Sequence, residues 1–162
     1  MTDLGLGPRD QPPIRVLFVC TGNSARSQMA EAVLRRFGEG AFETYSAGTQ
    51  PRGVHPLTIR ALADVGIDIS GARSKSVQAF VGQRFDYVIT VCDRAREACP
   101  VFPGAADALH WDFDDPAETT GTEAARLLVF RRVLGQISTR MRTFMPLALD
   151  QRHDRPVISR PG

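Results

Sequence analysis

Short, nearly unbroken apolar runs along the chain alternate with longer stretches in which apolar residues return every three or four positions. Ile14 to Cys20, IRVLFVC, is rich in branched and aromatic side chains, which predicts a central strand covered on both faces. From Ser24 to Phe37 the apolar positions Met29, Ala30, Val33, Leu34 and Phe37 keep helical spacing, and Gly38 stands where a left-handed stop belongs. Phe42 to Ala47 predicts a second strand, followed by a loop from Gly48 to Gly53. Pro56 opens a helix whose inner face is Leu57, Ala61, Leu62 and Val65 and which ends at Gly66. Ser70 to Gly82 is expected to be partly helical. Phe85 to Cys92, FDYVITVC, predicts a third buried strand, and Ala108 to Phe113 a short fourth one after Pro100, Pro103 and Gly104. The last helix begins near Thr120, where Thr120 and Glu123 fit a capping box. It carries Leu127, Phe130, Leu134, Ile137, Met141 and Phe144 on one face and stops at Pro146.

Strands alternating with helices predict an α/β three-layer sandwich, with a central four-stranded parallel sheet and helices on both faces. In such folds ligands bind beyond the carboxyl ends of the strands, where Cys20 and Cys92 both fall. A chain of 162 residues with 43% hydrophobic content suits one domain. The expected organisation is a flexible leader over residues 1–13, a domain over 14–145 and a mobile tail over 146–162.

Charge narrows the function by exclusion. Twenty basic residues against 18 acidic ones, with no block of like charge, give no pull toward nucleic acid or a membrane surface. The arginines of the last helix, Arg126, Arg131, Arg132, Arg140 and Arg142, read as a solvated face. Met1 to Pro13 has no apolar run, so neither a signal peptide nor a spanning segment is expected there, and the predicted location is the cytoplasm. The three cysteines, Cys20, Cys92 and Cys99, are an odd set that argues for reactive or buried thiols over a disulfide scaffold. Lys75 is the single lysine among nineteen arginines.

The chemistry concentrates in Cys20-Thr21-Gly22-Asn23-Ser24-Ala25-Arg26-Ser27. A loop leading from a strand into a helix can turn successive backbone N–H groups toward one centre, where they and the helix dipole hold a doubly charged tetrahedral anion. Gly22 and Asn23 are expected to supply the unusual backbone angles. Arg26 can grip two oxygens with its planar fork. The same positive field favours the thiolate of Cys20, helped by a hydroxyl from Ser27 or Ser24, which makes Cys20 the candidate nucleophile. A core cysteine at a strand end with a surface arginine nearby is the plainer alternative.

The segment CTGNSARSQMAE resembles the anion loop of the low-molecular-weight tyrosine phosphatase superfamily, and most closely its thioredoxin-coupled arsenate reductase branch. The resemblance runs from about Ile14 to Phe144 and includes YSAG at Tyr45 to Gly48, IDIS at Ile67 to Ser70 and HWDFDDPA at His110 to Ala117. It implies that Asp115, in the Asp115-Pro116 pair, is the general acid for the leaving oxygen. It also implies a relay: Cys20 attacks arsenate, Cys92 attacks the Cys20 adduct and releases arsenite, and Cys99 captures Cys92. The Cys92–Cys99 disulfide is then reduced by thioredoxin, or by glutaredoxin or a small thiol. No resident cofactor or metal is expected, and a monomer suffices. Asp93 to Ala98, DRAREA, has good helix formers, and a helix there separates the Cα atoms of Cys92 and Cys99 by about 10.5 Å. A disulfide tolerates at most about 7 Å, so Asp93 to Pro103 is expected to unwind in each cycle.

Two rivals stand beside this reading: a small phosphatase hydrolysing phosphate monoesters through a Cys20 phospho-enzyme, and a non-catalytic thiol sensor or anion-binding module. Ala117, Glu118 and Thr119 follow the Asp-Pro pair where the phosphatase branch carries aromatic residues, which weakens phosphotyrosine as a substrate. Ala25 replaces a cysteine found in many relatives, leaving Cys92 and Cys99 as the redox path. Some reductases of the branch bind potassium through residues corresponding to Asn23, Glu31, Ser46 and an acid where this chain has Lys75. An ammonium there is expected to pair near Glu31 and make the ion unnecessary.

Overall fold

The computed structural model describes residues 11–100, 102 and 107–154. Four strands, β1 (Ile14–Cys20), β2 (Phe42–Gly48), β3 (Tyr87–Thr90) and β4 (Asp107–His110), form one sheet in the order β2-β1-β3-β4. All three pairings are parallel, with Cys20 opposite Gly48 and Val19 opposite Thr90. The predicted α/β sandwich with a four-stranded parallel sheet is therefore present, and β1 is interior, as its apolar run requires.

Four α-helices complete the frame: α1 (Arg26–Phe37), α2 (Pro56–Ala63), α3 (Asp93–Ala98) and α4 (Glu123–Asp154), with single 3-10 turns at Val77–Phe80 and Pro116–Glu118. Helices α1, α2 and α4 pack on one another over one face of the sheet. On that face Phe42, Tyr87 and Trp111 all meet Phe144 of α4. Side chains of a strand alternate between faces, so Tyr45 points away from Phe42, into a cluster with Phe80, Phe85 and Phe102. The 3-10 turn Val77–Phe80 belongs to this second face.

Several expected boundaries move, each for a local reason. Gly38 is not left-handed (φ −100°). Its glycine is demanded by space, since a Cβ would lie 2.6 Å from the Phe42 ring and 2.8 Å from the Leu34 carbonyl. Gly66 does take the left-handed conformation (φ 84°), but Val65 before it is exposed because α2 has already ended at Ala63. Helix α4 is capped by Thr122, whose hydroxyl accepts from the N–H of Ala125, and not by Thr120.

Pro146 does not stop α4, which runs on to Asp154. Proline removes the N–H that would serve the Arg142 carbonyl, but both residues are exposed, so water can take its place. Beyond the proline, buried Ala148 and the bond between the Tyr87 hydroxyl and Gln151 Oε1 (2.6 Å) hold the helix to the sheet. The domain therefore extends past residue 145, and residues 147–154 are helical and not a mobile tail. Residues 1–10 of the expected leader over 1–13, and the end of the chain, 155–162, lie outside the described residues.

Candidate active site

The backbone carbonyls from Cys20 to Ser24 all accept hydrogen bonds from segments beyond β2. Cys20 O accepts from the N–H of Thr49 (3.1 Å), Thr21 O from Gln50 (2.8 Å) and Gly22 O from Arg52 (3.0 Å). Asn23 O accepts from the Ser74 hydroxyl (2.7 Å), and Ser24 O from the His55 N–H (3.1 Å) and the Thr58 hydroxyl (2.9 Å). In a trans peptide the N–H points opposite to the C=O, so carbonyls held from outside turn the N–H groups between them toward the loop's centre. Among the described residues those of Gly22, Ser24, Ala25 and Arg26 have no protein partner. Ala25, the cap residue of α1, offers no side-chain acceptor, so the helix end is left for an anion.

The segment after β2 that supplies these donors can approach only because Gly48 has no side chain. A Cβ there would stand 2.6 Å from Thr21 O and 2.9 Å from Asn23 N. Asn23 alone among the described non-glycine residues takes a positive φ (47°), as its short polar side chain permits. Gly22, expected to share that role, does not take a positive φ.

Cys20 is buried, and its Sγ accepts from the Asn23 N–H (3.1 Å) and lies 2.8 Å from Ser27 Oγ. Asn23 Nδ2 donates to Ser27 Oγ (2.8 Å), which leaves the Ser27 hydroxyl proton for the sulfur. Nδ2 also donates to Ser46 Oγ (2.9 Å), while Asn23 Oδ1 accepts from Gln28 Nε2 (3.0 Å) and the Lys75 N–H (2.9 Å). Cys20 therefore sits on a connected polar network, with Ser27 rather than Ser24 as the hydroxyl partner.

Arg26, at the start of α1, reaches the Phe113 carbonyl (3.2 Å) and Asp115 Oδ2 (3.4 Å). Asp115 combines two readings of the Asp-Pro pair. Its Oδ1 caps the turn Pro116–Glu118 by accepting from Ala117 N (3.0 Å), and its Oδ2 faces the arginine of the loop.

His55, which no sequence motif marks, and Arg126, expected on the solvated face of α4, join this neighbourhood. His55 Nδ1 accepts from the Leu57 N–H (3.0 Å) as the cap of α2, and Arg126 points a guanidinium N–H at Nε2 (3.3 Å). Burial pushes the His55 imidazole below its ordinary value; Arg126 adds to this, and Asp115 opposes it. Their sequence signal was weak, an ordinary residue before a proline and one arginine among five on a helix. Arg131, Arg132, Arg140 and Arg142 are exposed as expected, and Arg126 is the exception.

The second thiol also meets the loop. Cys92, buried as the cap of α3, has its Sγ 3.4 Å from Thr21 Oγ1. Cys99 closes the far end of α3, half-buried, and burial raises its thiol above the ordinary range. All three cysteines are free. The predicted helix over Asp93–Ala98 is present between them, and Asp93, its first residue, is tied to β4 through His110 Nε2 (3.0 Å).

The surroundings of Glu31 do not suit a potassium ion. Glu31 Oε1 already accepts from the Ser46 hydroxyl (2.8 Å) and pairs with Lys75 Nζ (3.6 Å), while Oε2 pairs with Arg35 (3.1 Å). Two cationic heads on one carboxylate oppose a third cation.

A buried cysteine at the carboxyl end of an interior parallel strand, beside the unfilled N-terminus of a helix that carries one arginine, gives this α/β fold a site of the kind that suits a tetrahedral oxyanion. The chain belongs to the low molecular weight phosphotyrosine protein phosphatase family, which it matches over residues 15–155. It is 41% identical over 129 residues to an arsenate reductase of Halalkalibacterium halodurans, covering 80% of this chain and 93% of that protein. A solved arsenate reductase in the phosphate binding state superposes with a TM-score of 0.66 at 35% identity, covering 80% of this chain and 95% of the other. A thioredoxin-dependent arsenate reductase from Corynebacterium glutamicum gives a TM-score of 0.59 at 30% identity over 83% of this chain and 63% of that one.

Proposed function

We propose that this chain reduces arsenate to arsenite through Cys20, Cys92 and Cys99, with a thioredoxin-type dithiol as the final reductant. The observation that carries this reading is the contact between Thr21 of the anion loop and the sulfur of Cys92. A phosphatase has no use for a second thiol at that place. The arsenate reductases among its relatives support the same activity.

In the first step the Cys20 thiolate attacks arsenic, an As–S bond forms and an As–O bond breaks. The departing oxygen takes its proton from Asp115 and leaves as water. The inward N–H groups and Arg26 hold the remaining oxygens. In the second step Cys92, as the thiolate, attacks Cys20 Sγ from its place beside Thr21. The S–S bond forms, the As–S electron pair stays on arsenic, and arsenite leaves reduced by two electrons. Cys99 then attacks Cys92, which frees the Cys20 thiolate and leaves a Cys92–Cys99 disulfide for the external dithiol.

Helix α3 holds Cys92 and Cys99 at its two ends, too far apart to bond, so it must open for the last step. Burial disfavours the Cys99 thiolate while α3 is closed, and opening the helix relieves that burial.

Turnover of arsenate with NADPH, thioredoxin and thioredoxin reductase tests the relay. Cys20→Ser, Cys92→Ser and Cys99→Ser should each abolish multiple turnover. Full activity without Cys99 refutes the three-thiol relay, and hydrolysis of an aryl phosphate without arsenate turnover establishes the phosphatase alternative.

A further inference from the structure

Arg52 takes no part in the steps above, yet it is anchored to the anion loop. Its backbone N–H donates to the Gly22 carbonyl (3.0 Å). Its side chain crosses the open face of Gly22: the Cβ that Gly22 lacks would lie 3.5 Å from Arg52 Cδ and 3.6 Å from Cγ. The guanidinium begins one bond beyond Cδ, so it stands at the rim of the loop. Arg52 is exposed and, among the described residues, forms no ion pair, whereas Arg15, Arg26, Arg35 and Arg131 each have a carboxylate.

The charges in the loop ask for such a group. A doubly charged oxyanion beside a Cys20 thiolate brings three negative charges together. Against them stand the single charge of Arg26 and about half a charge from the N-terminus of α1.

We propose that Arg52 is a second cation of the oxyanion site, which draws the dianion to the mouth of the loop and offsets charge that Arg26 and α1 leave uncompensated. The proposal rests on the reading of the loop as an oxyanion cradle and names a further residue that binds its ligand. Arg52 lies on the solvent side, so it acts on capture and ground-state binding, while Arg26 remains the group within the cradle. The backbone bond to Gly22 O survives any non-proline substitution, so the side chain can be varied while the loop keeps its shape.

The test uses the full-length reduced chain and inorganic phosphate. Phosphate affinity is read from its protection of Cys20 against alkylation, followed on the Cys20 peptide by mass spectrometry, with thermal melting as the check on folding. Arg52→Gln is expected to weaken phosphate about tenfold and Arg52→Lys no more than about threefold, with Arg52→Glu weaker than either. Salt should reduce affinity less steeply in Arg52→Gln than in the unsubstituted chain. Affinities within about twofold across all four chains overturn the proposal, as does a loss in Arg52→Lys equal to that in Arg52→Gln. If phosphate fails to protect Cys20 in the unsubstituted chain, the oxyanion reading of the loop falls together with the proposal. Protection without ranking by charge keeps that reading and removes Arg52 from it.

Discussion

At the scale of single residues, the site depends on groups whose replacement has no conservative form. Arg26 serves the loop with a planar fork, so Arg26→Lys keeps the charge but loses the paired donors. The expected fall in kcat/KM for arsenate is about 10²- to 10³-fold, read from steady-state turnover. Gly48→Ala places a methyl group against the backbone of Thr21 and Asn23. It should cost about 1–3 kcal/mol in urea unfolding and abolish phosphate protection of Cys20, because backbone cannot swing aside as a flexible side chain can. His55 sets a pH dependence. Its folded value lies below the ordinary 6.5, so the unfolded chain takes up the proton first as pH falls. That contribution to stability is complete above pH 6.5 and drains away as pH drops toward the folded value. His55→Asn keeps an acceptor for the Leu57 N–H and removes the titration, so its melting temperature should fall less steeply below that pH.

At the scale of elements, α3 is the part that must change. It is six residues long, with only Ala95 buried, so little packing opposes its opening. Hydrogen exchange should show protection at Asp93–Ala98 in the reduced chain and its loss once Cys92 and Cys99 are oxidised. Equal protection in both states would rule out the switch. The ion network joining α1, β2 and Lys75 behaves in the opposite way, as a fixed brace. Since Lys75 already occupies Glu31, exchanging sodium for potassium should leave both turnover and melting temperature unchanged. Lys75→Ala vacates that partner and lowers stability.

At the scale of the whole molecule, the end of α4 belongs to the core. Removing residues 147–162 strips away buried Ala148, the packing of Leu149 and the bond from Tyr87 to Gln151. The expected loss is about 2–4 kcal/mol in urea unfolding, whereas a mobile tail would cost nothing. No helix among the described residues is long and apolar enough to cross a membrane.

The order of strands and helices, the parallel sheet and the Cys20–Ser27 loop were legible in the chain because each rests on local periodicity or on a short contiguous motif. Resemblance extended this to Asp115, Cys92 and Cys99. What needed the tertiary structure was every feature made by residues far apart in sequence. The contact of Thr21 with Cys92, the clasp of Thr49, Gln50 and Arg52 on the loop carbonyls, and the pairing of Arg26 with Asp115 depend on how separate strands end side by side. The glycine at Gly38 looked like a matter of backbone angle and proved to be one of space, because its neighbour Phe42 arrives from the next strand. Pro146 looked like a stop for the corresponding reason: a local rule ends the helix, and packing against β3 continues it.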